Sequence, residues 1–178
     1  MNAQQAESGW TSEVDALLGN WRNRVYAAQS AYYQQAERLW RWHYLLGIPM
    51  ILMSTIVSSS IFADKSGGFG IPTVVTGALG GLIAILASLQ TFLKLAETAT
   101  RNTAAADWYS SIRRDIEQLQ ALPRNLRGDA RARLDSIRKD INKAGQNAPS
   151  IGEHLWTRMA EKFGVKDLPM SEPPMKEP

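Results

Sequence analysis

The run WHYLLGIPMILMSTIVSSSIFA, Trp42 to Ala63, is followed after the short polar link Asp64-Lys65-Ser66-Gly67-Gly68-Phe69-Gly70 by IPTVVTGALGGLIAILASLQTFL, Ile71 to Leu93. Neither run contains Asp, Glu, Lys or Arg. A helix rises about 1.5 Å per residue, so each run matches a hydrocarbon core about 30 Å thick. Core helices of soluble proteins normally keep a polar stripe, and here no face carries a charge. Hiding two such helices from water would take far more protein than 178 residues supply. The expected fold is an all-α membrane protein: a two-helix transmembrane hairpin, with spans at residues 42–63 and 71–93, extended into a cytoplasmic antiparallel helical stalk plus short C-terminal helices.

Because the link is short and Gly-rich, the two spans must be antiparallel neighbours. Arg22, Arg24, Arg38 and Arg41 precede the first, and Lys94, Arg101, Arg113 and Arg114 follow the second, while Lys65 in the link is balanced by Asp64. The positive-inside rule then places both termini in the cytoplasm and the link outside, a multi-pass topology. The mostly polar residues ahead of Trp42 do not suit a signal peptide.

Working outward toward the N-terminus, residues 1–9 read as disordered, and Thr11-Ser12-Glu13 supplies a helix start. Val14, Leu17, Trp21, Val25, Ala28, Tyr32, Gln35 and Leu39 then step by threes and fours, a narrow seam that packs on another helix. With no Gly or Pro between Asn20 and Leu46, this helix is expected to run unbroken into the membrane. Trp40, Trp42 and His43 fall where it crosses from water to lipid, the depth that flat rings with one polar edge prefer. His43 is an interfacial residue or a pH-sensitive gate. Pro49 lacks an amide proton and should kink the first span near Leu45 to Pro49. Ser54, Thr55, Ser58 and Ser59 either bond back to carbonyls one turn earlier or line a pore, and the sequence does not choose between their two faces.

In the second span, Gly77, Gly81, Ala84, Ser88 and Thr91 form a small-residue seam for the first helix or a neighbouring subunit, with Leu79, Leu82, Ile83, Leu86, Leu89 and Leu93 opposite and facing lipid. Lys94 marks the cytoplasmic edge, where its stem can snorkel to the headgroups. The helix is expected to continue past it, with Ala105, Tyr109, Ile112, Ile116 and Leu119 on one face, to a stop at Pro123. Residues 10–122 thus form the hairpin with its stalk, and 123–165 hold shorter cytoplasmic helices. The first of these carries Ala130, Leu134, Ile137 and Ile141 on one face. The second opens on a capping-box spacing, Ser150 and Glu153, and presents Leu155, Trp156, Met159 and Phe163 for docking. The proline-rich tail, 166–178, reads as disordered.

The absence of Cys excludes disulfides, thiolate metal sites and thiol catalysis, and two histidines, His43 and His154, are too few for a histidine metal site within one chain. No phosphate loop, zinc-hydrolase helix or nucleophile elbow occurs, so neither an enzyme nor a cofactor is expected. The net charge of +3 comes from arginines that alternate with acids or flank the apolar runs. Anionic lipid headgroups explain it better than nucleic acid.

The run Ala36-Glu37-Arg38-Leu39-Trp40-Arg41-Trp42-His43-Tyr44, the Gly-x-Pro of the first span, the ending Leu89-Gln90-Thr91-Phe92-Leu93, and the helix with Trp108-Tyr109, Arg113-Arg114 and Ile116 together resemble the SLATT domain, the SMODS and SLOG-associating two-TM effector domain. The resemblance covers roughly residues 10–122. It implies a bacterial inner-membrane effector that homo-oligomerises and forms a pore or perturbs the membrane in an anti-phage conflict system. It also implies a cytoplasmic sensor or signal-producing partner, since this sequence contains no sensor domain of its own. A membrane-anchored helical scaffold that conducts nothing is the competing expectation.

Overall fold

In a computed structural model, residues 9–65 and 73–165 are described. The expected disordered start and tail, and most of the Gly-rich link, lie outside them. The described residues form five α-helices, one 3-10 turn and no strand: α1 Ser12–Lys65, α2 Thr73–Leu93, α3 Leu95–Ala121, the 3-10 turn Arg124–Leu126, α4 Ala130–Asn147 and α5 Glu153–Lys162. Two compact units result. A helical unit combines the chain up to Gln35 with everything from Arg101 on, and a two-helix unit comprises Ala36–Thr100.

Thr11 starts α1 as expected, its hydroxyl accepting from the Val14 amide at 3.3 Å. The helix then keeps α-helical structure through Pro49, so the proline does not interrupt it. In the helical unit, α1 buries Leu18, Val25, Ala27, Ala28, Ala31 and Tyr32. This stripe is broader than the expected seam, and Leu17 is exposed while Leu18 is fully buried. The difference arises because α1 meets three helices here rather than one, so positions beside the seam are covered too. The antiparallel pair expected as a stalk is thus joined by both C-terminal helices in one four-helix core. The face expected on α3 is buried throughout, from Ala105 and Tyr109 to Ile112, Ile116 and Leu119. Helix α4 contributes Ala130, Ile137 and Ala144, and α5 docks through Trp156 and Met159.

Tyr32 stacks on Tyr109 at 5.6 Å between ring centroids and donates its hydroxyl proton to the Pro149 carbonyl at 3.0 Å. Burial raises the pKa of both phenols, so both stay neutral hydrogen-bond donors. Arg113 lies over the Tyr26 ring at 4.8 Å, and Tyr26 packs on Phe163 at 4.3 Å. The Ser150–Glu153 capping box does not form. Helix α5 is capped by Gly152, and the Ser150 carbonyl accepts instead from the Gln35 side chain at 3.3 Å.

One end of the unit is closed by a charged clasp. Arg127, only 8% exposed, donates to the Leu122 carbonyl at 2.8 Å and the Gln120 carbonyl at 2.9 Å, satisfying backbone acceptors left open at the end of α3. Its remaining nitrogen reaches Asp15, which also accepts from Arg124 at 2.6 Å. The guanidinium of Arg127 covers the Trp10 ring at 5.3 Å, and the indole nitrogen of Trp10 donates to the Gly128 carbonyl at 2.8 Å. Gly128 has φ +74°, a backbone setting that a side chain would oppose.

Burial by itself would raise the Asp15 carboxyl, but hydrogen bonds and charge from Arg124 and Arg127 outweigh it and hold the pKa below the usual value. A depressed folded pKa makes the clasp fully stabilising above the unfolded value of about 3.9, and its contribution disappears as pH falls through the folded one. Asp15→Asn should therefore cost about 1–2 kcal/mol near pH 7, discounted for partial solvent access. The gap in thermal midpoint between the two proteins should close below about pH 4.

Candidate functional site: the two-helix unit

The two-helix unit reverses the usual distribution of side chains. Leu45, Ile48, Ile51, Leu52 and Ile56 on α1, and Val75, Leu82, Ile85, Leu89 and Leu93 on α2, are all exposed. None of the most apolar 18-residue window of α1 is buried within the chain. By length and composition one helix among the described residues, α1 over Ser12–Ser59, is long and apolar enough to cross a membrane, and α2 contributes the shorter apolar stretch Val75–Leu89.

What does pack is a narrow pair of stripes. On α1 the half-buried residues are His43, Leu46, Gly47, Met50, Met53, Ser54 and Val57, and on α2 they are Thr76, Leu79, Gly80, Ile83, Leu86 and Ala87. Each set recurs at threes and fours, as facing helices require. Leu79, Ile83 and Leu86, expected to face lipid, therefore lie on the intrachain side, whereas Leu82, Leu89 and Leu93 are exposed as expected.

The small-residue seam is consequently left open. Gly77, Gly81, Ala84, Ser88 and Thr91 are all exposed, and a Cβ added at Gly77 or Gly81 would meet nothing within 4 Å. Of the two contacts the sequence allowed this seam, packing on the first helix is not the one formed in the single chain. The Ser88 hydroxyl donates to the Ala84 carbonyl at 2.8 Å, so its own proton is satisfied within the helix.

The hydroxyls of the first span behave similarly. Ser54 and Thr55 both donate to the Ile51 carbonyl at 2.9 Å, and Ser59 donates to the Thr55 carbonyl at 2.9 Å. Ser54 is half-buried on the intrachain stripe, whereas Thr55, Ser58 and Ser59 are exposed.

At the level of Trp40 the rings form a trio. Trp40 stacks on Tyr44 at 5.6 Å, and His43 meets Trp40 edge-on at 5.7 Å and Tyr44 at 5.6 Å. Trp42 and Tyr44 are nevertheless about half exposed, and beside them Arg41 pairs with Glu37 at 3.5 Å. Comparison with family models, curated proteins and solved structures yields no match. Lys94, exposed and 3.7 Å from Glu97, takes φ +43° and separates α2 from α3, so the expected continuous helix is broken there.

Elsewhere, a shallow cleft of about 240 Å³ in the helical unit is lined by Asp115, Leu119, Leu122, Arg127, Arg133 and Asp140 among others. Its two acids face two arginines, so it has no excess charge of either sign. Among the described residues no group of three His, Cys, Asp or Glu is placed to hold a metal ion.

Proposed function

We propose that this protein is a bacterial inner-membrane effector that homo-oligomerises through its second span and opens a pore, or otherwise breaches the bilayer, when triggered from the cytoplasm. The observation that carries this reading is the exposed apolar band of the two-helix unit. A single chain in water would leave large aliphatic side chains of both helices unburied, and hydrocarbon is the solvent that suits them. Helix α2 has 21 residues, a length of about 31 Å that matches the bilayer core.

The topology supports two crossings. Because the helical unit is built from the chain on both sides of Ala36–Thr100, its two halves must lie in one compartment. A segment inserted between them has to cross an even number of times. With basic residues on both flanks, that compartment is the cytoplasm. Two spans cannot enclose a wet path alone, so conduction requires several copies. The open Gly77–Thr91 seam offers the close backbone approach that drives helix association in lipid. The resemblance to SLATT domains points to the same role, with lipid and further copies as partners and a separate sensor as the trigger.

A non-conducting scaffold is the second reading, favoured by the carbonyl bonds that already satisfy Ser54, Thr55 and Ser59. Reconstitution separates the two. With Thr55 and Ser59 both replaced by Leu, a pore should lose most of its dye or ion release from liposomes while inserting normally. Release that never occurs from the unaltered protein with any cytoplasmic trigger supplied would leave the scaffold as the better account.

A further inference from the structure

Arg38, Trp42, Leu45 and Pro49 are spaced by four, three and four on α1, so they share one face, and all four are exposed within the two-helix unit. The face is graded along the axis. It opens with a guanidinium, passes an indole and continues into the apolar run. Arg38 and Leu45 are about 10 Å apart along the helix, enough to pass through a headgroup layer about 5–7 Å deep into hydrocarbon.

Two polar groups on this face are uncommitted among the described residues. Arg41 is matched with Glu37 and Lys94 with Glu97, but Arg38 forms neither an ion pair nor a hydrogen bond with any of them. The indole nitrogen of Trp10 donates to a carbonyl, whereas that of Trp42 donates to none, and Trp42 stands outside the trio of Trp40, His43 and Tyr44. Direction matters too. Side chains on a helix tilt toward its N-terminus, so Arg38 reaches away from the apolar run that follows it.

We propose that Arg38, Trp42 and Leu45 form a binding site for one anionic phospholipid: the guanidinium forks onto the phosphodiester, the indole N–H donates to an ester carbonyl, and Leu45 lies along the acyl chain. The site rests on the membrane reading above and adds a chemically selected lipid to it. Every phospholipid carries the phosphate, so the preference comes from net charge. A choline headgroup brings its own cation beside Arg38, while a glycerol headgroup leaves the negative charge to the arginine.

Native mass spectrometry of the full chain in detergent, with phosphatidylglycerol or phosphatidylcholine added, reads the first lipid bound per chain. The unaltered protein should favour phosphatidylglycerol about fivefold, the effect of one basic residue at an anionic lipid surface, and Arg38→Gln should bring the ratio close to one. Glu37→Gln combined with Arg41→Gln keeps the net charge and should keep the preference. Circular dichroism confirms that each variant is folded. Glycerophosphoglycerol, the same headgroup without acyl chains, should not displace the bound lipid, and displacement by it would overturn a lipid as the ligand. Equal binding of both lipids to a protein that needs detergent, or a preference that survives Arg38→Gln, sinks the site and leaves the membrane reading standing. A protein that stays monodisperse without detergent and binds neither lipid sinks both.

Discussion

An arginine in place of Ile51 or Ile85 is expected to remove most of the protein from the membrane pellet after an alkaline carbonate wash. These side chains are 64% and 66% exposed in the single chain, so neither substitution disturbs a packed interior. At an exposed site in water such a change is nearly neutral. Near the centre of a spanning helix it costs about 2.5–3.5 kcal/mol, roughly a hundredfold in the insertion equilibrium. Leu126 provides the control, since it is 64% exposed but belongs to the helical unit. Leu126→Arg should leave membrane association unchanged. Equal retention of all three variants in the pellet, or equal retention of none including the unaltered protein, would remove lipid as the solvent of α1 and α2.

The second large effect concerns Arg127. Replacing it with Ala withdraws donors from two backbone carbonyls, leaves Asp15 with Arg124 alone, and uncovers the Trp10 ring. The expected loss is about 2 kcal/mol, since two part-buried acceptors then lose a donor and a partly desolvated carboxylate loses its closest charge. Arg124→Ala, by contrast, removes a side chain that is 40% exposed and should cost about 1 kcal/mol or less. Arg127→Lys keeps the charge but cannot fork to three acceptors, and should fall between the two. Thermal unfolding in detergent, followed by helical circular dichroism, gives the order. A loss at Arg124 equal to that at Arg127 would mean that surface charge, and not the buried fork, holds this end together.

Hydrophobic periodicity made the main elements legible. The two uncharged runs, the face of α3 from Ala105 to Leu119, and the docking of Trp156 and Met159 all followed from which side chains recur at helical steps. The exact stripe of α1 was less legible, because Leu17 and Leu18 are equally apolar and only the number of neighbouring helices decides which is covered. Ser150 and Glu153 had the right spacing for a capping box, but the helix starts at Glu153 with Gly152 as its cap, so Ser150 is not in the capping position. In the two-helix unit, small-residue order set one face of α2 apart without indicating a partner, and within the single chain that face stays exposed. Leu79, Ile83 and Leu86 were placed against lipid because a leucine in a span carries no signal separating lipid from a helix neighbour. The clasp lay beyond pattern reading, since Asp15 and Arg127 are 112 positions apart and neither carries a local motif. Lys94 is the instructive failure. No Gly, Pro, Asn or Asp lies beside it, so the sequence carries none of the usual signals for a helix end there.

The helical unit takes its first third from before Ala36 and the remainder from after Thr100. During synthesis at about 5–20 residues per second, Leu18, Val25 and Tyr32 leave the ribosome several seconds before Ile112, Ile116 and Trp156 exist to cover them. In that interval residues 36–100 emerge while the α1 segment ahead of them still lacks its partners in the helical unit. Assembly of the helical unit then comes last, and the pairing of Arg127 with Asp15 locks together two segments made on either side of that interval.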